Sequence, residues 1–69
     1  MTTVRYILQR EDGTFYWRGW ASSDYGWDID FNKAHLFHTE AGAKKRMYTS
    51  KPLNCIVKLV TVELKDVNN

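Results

Sequence analysis

Few residues of this chain are of the types that carry out catalysis, and they are scattered. The nucleophile candidates are one cysteine, Cys55, and three serines, Ser22, Ser23 and Ser50. Nucleophilic catalysis needs such a residue beside a base, and none of these serines stands in the glycine-flanked turn of a hydrolase nucleophile. Cys55 begins a run rich in Val, Ile and Leu, where a cysteine is typical of a small buried hydrophobe. The sequence therefore predicts no catalytic residues and a protein that is not an enzyme.

Two metal-binding patterns begin in the middle of the chain, and neither is complete. The first is an alternating set of oxygen ligands, Asp28, Asp30 and Asn32. A calcium-binding loop would continue with glycine and end in a carboxylate, but Lys33 and Thr39 occupy those positions. The second is the pair His35 and His38, which would need further ligands to hold zinc. The sequence therefore predicts no metal site. Its four glycines are too few to suggest a phosphate-binding loop, and we expect no cofactor.

The chain is short, and its composition predicts a single intracellular domain. It has 69 residues, a net charge of +2 and ten aromatic residues (three Trp, four Tyr and three Phe). This length allows one hydrophobic core, so we expect one domain over residues 1–69 with an ordered core from about residue 4 to 65. A single cysteine excludes an internal disulfide and favours a reducing compartment, which predicts a cytoplasmic protein. No apolar stretch suggests a signal peptide or a bilayer span, so we expect no membrane partner.

The N-terminal third predicts a β-hairpin with two different faces. Asp12-Gly13 lies between two runs of strand-forming residues, which favours a two-residue turn that pairs Arg10 with Phe15. One face is then apolar and meets the core: Val4, Tyr6, Leu8, Phe15 and Trp17. The other face mixes aromatic and cationic residues: Arg5, Ile7, Gln9, Tyr16, Arg18 and Trp20. A slip of one residue in this register would exchange the faces.

The middle of the chain predicts irregular structure followed by a helix. Residues 22–32 are expected to form a loop that folds back over the sheet, followed by one helical turn at 31–34 capped by Asp30 and an extended piece at 35–37. Thr39 is a helix N-cap candidate with Glu40 in the first turn. The helix is expected to run to about Ser50 and to be ended by Pro52. Its inward side chains are expected to be Ala43 and Met47, with Tyr48 as a further candidate.

The C-terminal part predicts one long strand over residues 55–65. Its apolar alternation changes phase between Leu59 and Val60, which a β-bulge or burial on both faces would explain. The apolar character of this strand is typical of a central strand and favours a position beside the first strand. Together these elements predict an α+β fold, with a three- to four-stranded antiparallel sheet and one helix packed on it in the order β-β-(β)-α-β.

Three segments of the sequence resemble short accessory proteins that are common in bacteriophages and prophages. They are Tyr6-Ile7-Leu8, Asp12-Gly13-x-Phe15-Tyr16-Trp17 and Lys33-Ala34-x-Leu36-Phe37-x-Thr39-x-x-Gly42-Ala43. Many such proteins have no assigned activity, and others inhibit host enzymes or defence systems, as anti-CRISPR proteins do. The resemblance implies a small binding protein that inhibits or redirects a host protein in the host cytoplasm, and it transfers no catalytic residues.

The candidate binding surface combines aromatic and basic side chains from the hairpin, the loop and the helix. They are Arg5, Tyr16, Arg18, Trp20, Tyr25, Trp27, Lys44 and Lys45. Tyr, Trp and Arg are enriched at the hot spots of protein interfaces, so a protein partner is the first expectation. The alternative partner is a single-stranded nucleic acid, whose bases stack on aromatic rings while its phosphates meet cations.

Three further interpretations stay open from the sequence. The loop over residues 21–31 would, in one of them, cover the hairpin face, so that Trp20 and Trp27 are packed in the core. In another, a small ligand binds beneath the loop at Tyr25 and Trp27. An exposed sheet edge would also allow a homodimer.

Overall fold

The computed structural model describes residues 1–21, 23–49 and 54–64. Its strands are β1 (Thr2–Arg10), β2 (Phe15–Arg18), β3 (Tyr25–Asp28) and β4 (Cys55–Glu63), and its helices are a short 3₁₀ turn (Phe31–Lys33) and α1 (Glu40–Thr49). The strands form one antiparallel sheet in the order β3-β2-β1-β4. The predicted α+β fold is therefore confirmed, including the position of the last strand beside the first. The expectations for Ser22, Ser50, Pro52, Lys65 and the 66–69 tail fall outside the described residues.

The β1–β2 hairpin forms at the predicted place but with a longer loop. Gln9 pairs with Phe15, and the backbone N–H of Arg10 donates to the Thr14 carbonyl at 2.9 Å. The loop therefore has three residues, Glu11, Asp12 and Gly13. Gly13 adopts a φ of +90°, as expected for the glycine that follows a type I turn in three-residue hairpin loops. The predicted two-residue turn and the pairing of Arg10 with Phe15 are wrong.

The side chain of Asp12 gives a physical reason for this longer loop. Its Oδ1 atom accepts hydrogen bonds from the Thr14 backbone N–H at 3.0 Å and from the Thr14 hydroxyl at 2.6 Å. These bonds lower the pKa of Asp12, the hydroxyl bond most of all. An Asp side chain that bonds the backbone two residues ahead stabilises a local turn. Asp12 thus holds Thr14 in the loop geometry that sets the observed register.

The shifted register exchanges the two faces of β2, so the predicted assignment of its side chains is wrong. Tyr16 lies on the same side of the sheet as Leu8 and is only 1% exposed. Phe15 therefore points to the opposite side, where its ring meets the edge of the Phe31 ring at 5.4 Å between centroids. The alternation of side chains along a strand makes this exchange unavoidable once the register moves by one.

An extended segment at residues 35–37 joins β1 to β2 beyond the Gln9–Phe15 pair. Tyr6 and Phe37 exchange two backbone hydrogen bonds of 2.9 and 2.8 Å, and the His35 N–H donates to the Tyr16 carbonyl at 2.8 Å. The predicted extended piece is therefore confirmed. It bonds to β1 through Phe37 and to β2 through His35, which fixes the His35 ring against the sheet.

The helix α1 packs across one face of the sheet. Its N-cap is Thr39, whose Oγ1 atom accepts the Gly42 N–H at 3.0 Å, as predicted. Ala43 is fully buried and Met47 packs against the same core, whereas Tyr48 is exposed. The core on this side comprises Leu8, Tyr16 and Ala43 with the partly buried Tyr6, Trp27, Phe37, Met47, Cys55 and Val57.

Strand β4 pairs with β1 over its whole length without interruption. The register runs from Thr2–Glu63 to Arg10–Cys55, so the predicted bulge is wrong. Cys55 and Val57 are partly buried on the α1 side, while Val60 and Val62 are partly buried on the other side. The change of phase in the sequence therefore reflects burial of opposite faces in the two halves of one regular strand.

Candidate functional site

A tight connection between β2 and β3 builds the candidate site. Arg18 pairs with Tyr25 at the end of this hairpin, and the Gly19 N–H donates to the Asp24 carbonyl at 2.6 Å. The Asp24 N–H donates to the Ala21 carbonyl at 2.9 Å and closes a second turn. Hydrogen bonds within its own backbone therefore stabilise the connection that carries Trp20.

Trp20 is the most exposed aromatic residue that the structure describes. Its relative exposure is 103%, so none of its ring is covered by the fold. The interpretation that the loop packs Trp20 into the core is therefore wrong. Together with Arg18, Gly19 and His35, Trp20 lines a shallow pocket of about 510 Å³. We call this pocket and its rim, which includes Tyr25, the Trp20 surface.

His35 forms the floor of the Trp20 surface and is held by two aromatic rings. It is half-buried, and its ring meets the Phe37 ring edge-on at 4.5 Å and the Tyr16 ring edge-on at 6.2 Å between centroids. Burial lowers the pKa of His35, and the positive charges of Arg18, Arg46 and His38 lower it further. Basic groups from β2, α1 and the 35–38 segment thus converge on one place.

Arg18 gives this surface an exposed positive charge. Two ion pairs are present among the described residues, Lys33–Asp28 at 3.5 Å and Lys44–Glu40 at 2.8 Å, and Arg18 belongs to neither. Arg18 is exposed, so its guanidinium can bind an anionic group without first leaving a partner carboxylate in the described part of the chain. An exposed ring beside such a cation suits an acidic group on a flat or protruding partner.

Two of the predicted surface rings serve the fold instead. Tyr16 lies in the core at 1% exposure, so its assignment to a binding surface is corrected. Trp27 is half-buried, with the Tyr16 ring at 5.8 Å and the Arg10 guanidinium carbon 4.2 Å from its ring centroid. Tyr25 is 41% exposed and lies near Tyr16, and it stays available at the rim.

The predicted loop at residues 22–32 contains a strand, and this removes the covering loop on which the small-ligand interpretation depends. Tyr25 and Trp27 belong to β3, the outer strand beside β2, rather than to a loop that covers a cavity. The prediction of a loop is wrong for Tyr25–Asp28, whereas the helical turn after Asp30 is confirmed: the Asp30 side chain accepts the Asn32 N–H.

The predicted basic residues do not gather at one place. Arg5 lies on β1, where its Nη1 atom donates to the Val4 carbonyl at 2.8 Å and to the Thr3 hydroxyl at 3.0 Å. Lys44 lines a groove beside β4, at the far edge of the sheet from β3. Lys45 is exposed on α1. Of the eight predicted residues, the structure brings Arg18, Trp20 and Tyr25 together.

Three residues of this site were not predicted from the sequence. His35 and His38 were considered only as metal ligands, and Arg46 was not named among the predicted surface residues. They are related through His35, whose pKa is lowered by Arg46 and His38 as well as by Arg18, and the approach of Arg46 arises from the crossing of α1 over the sheet. No spacing in the sequence signals that proximity, because the residues come from separate elements.

The alternating acids of the middle segment act as local caps. Asp28 Oδ1 accepts the Asp30 N–H at 2.8 Å, and Asp30 Oδ1 accepts the Asn32 N–H at 2.9 Å. The bond from the Asp30 N–H is the main reason why the pKa of Asp28 is lowered, with Lys33 adding to it. In the described ranges no three His, Cys, Asp or Glu side chains are grouped as metal ligands.

Two further findings complete the description. No helix in the described part of the chain has the length and apolar character needed to span a bilayer. Comparison of the chain with protein-family models, with curated proteins and with solved structures finds no match.

Proposed function

We propose that this protein is a non-catalytic binding protein that inhibits or redirects a protein partner docked on the Trp20 surface. The observation that carries the proposal is the complete exposure of Trp20. An indole in water contributes nothing to the core of its own fold, yet it offers one of the largest apolar areas that a partner can bury. Tryptophan is also among the residues most enriched at interface hot spots.

The cation beside the Trp20 ring favours an acidic group on the partner, although the Asp24 carboxylate lies against Gly19 on the same connection. Arg18 lies in the same pocket wall, and Arg46 and His38 are close enough to influence His35 beneath it. Positive potential of this kind steers an acidic surface towards the site and disfavours a basic one. The partner is therefore a protein that presents Asp or Glu side chains beside a cleft for the Trp20 ring.

The resemblance to phage accessory proteins supports a host protein as that partner. Inhibitors of this kind act by occupying a surface of a host enzyme or defence component, which needs a compact scaffold and one strong anchor. The Trp20 surface lies on a turn closed by backbone hydrogen bonds and therefore offers such an anchor on a compact scaffold. Inhibition by occupancy also needs no catalytic group, in agreement with the scattered nucleophile candidates of the sequence.

A single-stranded nucleic acid fits the site less well. Binding of this kind uses several rings, on which successive bases stack. Tyr16 is buried and Trp27 is covered by Arg10, which leaves Trp20 and Tyr25 as accessible rings at this surface.

The test is capture of the partner from a bacterial lysate by the tagged protein, with and without nuclease, followed by direct binding of the purified partner. Trp20→Ala and Arg18→Ala should fold normally, because both side chains are exposed, and should weaken binding at least tenfold. The matched control is Tyr48→Ala, which removes another exposed ring, on α1, and should bind as the wild type does.

Two results would overturn the proposal. One is an unchanged affinity of the purified partner for the Trp20→Ala variant, which would place the interface elsewhere. The other is loss of every captured protein on nuclease treatment, together with oligonucleotide binding that falls steeply with salt. Such salt dependence reports release of counterions from phosphates and would assign the surface to nucleic acid.

A further inference from the structure

The outer edge of β4 is a second surface, separate from the Trp20 surface. In the strand order β3-β2-β1-β4, the described residues give β4 a neighbour on one side only. It is nine residues long, whereas the opposite edge strand, β3, has four. Long open edges present rows of unpaired backbone groups that can accept another strand.

The hydrogen-bond pattern identifies the backbone groups that face outward. The Leu64 N–H donates to the Met1 carbonyl at 2.7 Å, so in this antiparallel ladder the even-numbered residues of β4 direct their N–H and C=O groups to β1. The odd-numbered residues direct theirs to the open edge. They are Cys55, Val57, Leu59, Thr61 and Glu63.

The side chains of this edge are also incompletely covered. Leu59 is 59% exposed and Ile56 is 57% exposed. Leu59 lies at the centre of β4 and projects to the α1 side, where it lines a groove of about 380 Å³ with Met47 and Tyr6. Apolar side chains of this size at the centre of an open edge are typical of a contact surface.

One end of the β1–β4 pair lacks support from the rest of the sheet. On its other side, β1 pairs with β2 at Gln9 and with the 35–37 segment at Tyr6. Thr2–Arg5 and Val60–Glu63 lie beyond these pairs and form a two-stranded ribbon. Two strands alone are marginally stable in water, and a third strand is normally required. The free edge of β4 is the place where a third strand can be added.

We propose that two copies of this chain pair antiparallel along β4, with Leu59 of each copy on the two-fold axis. Pairing of odd-numbered residues with odd-numbered residues satisfies the outward N–H and C=O groups of both strands. In this register Val60–Glu63 of one copy lies beside Cys55–Lys58 of the second copy. The ribbon of each molecule therefore gains as its third strand the half of β4 that α1 covers in the other.

The side chains of this arrangement are complementary. Leu59 meets Leu59 of the second copy, and Ile56 meets Val62 of the second copy, so the exposed apolar groups of each edge are covered. Glu63 of the second copy stands opposite Cys55, at the groove that Lys44 also lines. Lys44 is already paired with Glu40, which lines the same groove, so this position adds no ion pair across the interface. A foreign strand would need both apolar contacts by chance, whereas a second copy supplies them by symmetry.

The register is tested by a disulfide across the axis. In the Cys55→Ser background, Leu59→Cys places two thiols on residues that form a hydrogen-bonded pair, with Cα atoms about 5.5 Å apart, within the range of a disulfide. Mild oxidation should give a covalent dimer. The matched control, Thr61→Cys in the same background, places the thiols about 14 Å apart and should stay unlinked. Linkage of the control but not of Leu59→Cys would overturn the register.

The assembly itself is tested by sedimentation of the wild-type protein and of Leu59→Lys over a range of concentrations. The wild type should sediment as a dimer at the upper end. Leu59→Lys sets two like charges against each other at the axis and should sediment as a monomer with an unchanged circular dichroism spectrum. A wild type that stays monomeric throughout, or a Leu59→Lys variant that still dimerises, would overturn the proposal. Trp20→Ala should dimerise normally, so this inference and the proposed function can fail separately.

Discussion

The guanidinium carbon of Arg10 lies 4.2 Å from the centroid of the Trp27 ring, although β2 separates the strands that carry them. Such a contact combines an attraction between the cation and the ring face with coverage of the ring by the arginine side chain. It ties the end of β1 to the edge strand β3 and so supports the strand that begins at Tyr25. The contact therefore stabilises the base of the Trp20 surface.

Replacement of Arg10 should weaken the fold by a measurable amount. Arg10→Ala uncovers the Trp27 ring and should lower the free energy of unfolding by about 1 kcal/mol, as measured by urea denaturation. Arg10→Lys keeps the charge without the flat guanidinium and should lose less. Lys45→Ala, at an exposed position on α1, is the control and should be within about 0.5 kcal/mol of wild type. Equal stabilities for the Arg10→Ala and control variants would contradict the role of this contact.

The hairpin loop should depend on the backbone of Gly13. At a φ of +90°, a Cβ atom strains the backbone, so Gly13→Ala should cost about 1–2 kcal/mol of unfolding free energy. Crowding contributes little, because a Cβ there would lie 3.5 Å from Ile29, an ordinary contact. Asn tolerates this region better than Ala, so Gly13→Asn should be the milder variant in thermal denaturation. If Gly13→Asn were as damaging as Gly13→Ala, crowding rather than φ would be the cause.

Thr39 and Gly42 should show non-additive effects. Thr39→Ala removes the cap bond to the Gly42 N–H and should cost about 1 kcal/mol. Gly42→Ala improves helix propensity by about 1 kcal/mol, but its Cβ would lie 3.1 Å from the capping oxygen. The gain should therefore be small in the wild type and larger in the Thr39→Ala background, where the obstacle is gone. A double-mutant cycle by chemical denaturation measures this coupling, and additivity would show that Thr39 adapts without cost.

His35 should make the protein sensitive to mild acid. Its pKa in the folded state is lowered from the ordinary value of 6.5, first by burial and then by Arg18, Arg46 and His38. The unfolded chain therefore binds this proton more readily, so stability is full above about pH 6.5 and declines as the pH falls towards the folded-state pKa. His35→Phe should flatten the decline between pH 6.5 and 5, as seen in melting temperature. His38→Gln, at an exposed position, should retain it, and a decline unchanged in His35→Phe would assign it to other groups.

Local signals in the sequence were sufficient for most elements. The Asp12-Gly13 turn, the Asp30 cap and the Thr39 cap each depend on side chains that bond the backbone within a few residues. Such interactions do not need the rest of the fold, so the sequence alone predicts where the turn and the two caps lie, although not the length of the turn. The position of β4 beside β1 was also predicted, but the reason given, the apolar character of a central strand, is wrong because β4 lies at the edge of the sheet.

The register of the hairpin was not predictable from the same signals. Phe15, Tyr16 and Trp17 are three successive aromatic residues, so either register places large rings on both faces and hydrophobic alternation cannot decide between them. Asp12-Gly13 is compatible with two-residue and three-residue loops. The choice depends on the hydrogen bonds between Asp12 and Thr14 and on the burial of Tyr16 beneath α1.

The candidate site was predictable only in part from the sequence. Arg18 and Trp20 stand close in the chain, and their types alone suggested an interface. The contribution of His35 and Arg46 depends on the 35–37 segment bonding to β2 and on the crossing of α1, which are tertiary events. Tyr16 was assigned to the surface because the predicted register placed it on the mixed face. The observed register places it in the core.

The hydrogen bond from Arg5 to the Val4 carbonyl has a consequence for how large an assembly can grow. Val4 directs that carbonyl away from β4, to the side of the ribbon on which β1 has no partner strand in the described part of the chain, and the guanidinium donates a hydrogen bond to it. A sheet that accepts strands at both edges can add molecules without limit and become a fibre. With this margin of β1 blocked and β3 short, recruitment through β4 consumes the one long edge of each molecule. In the proposed dimer, growth would then end at a closed pair, and the Arg5 side chain is one of the features that limit it.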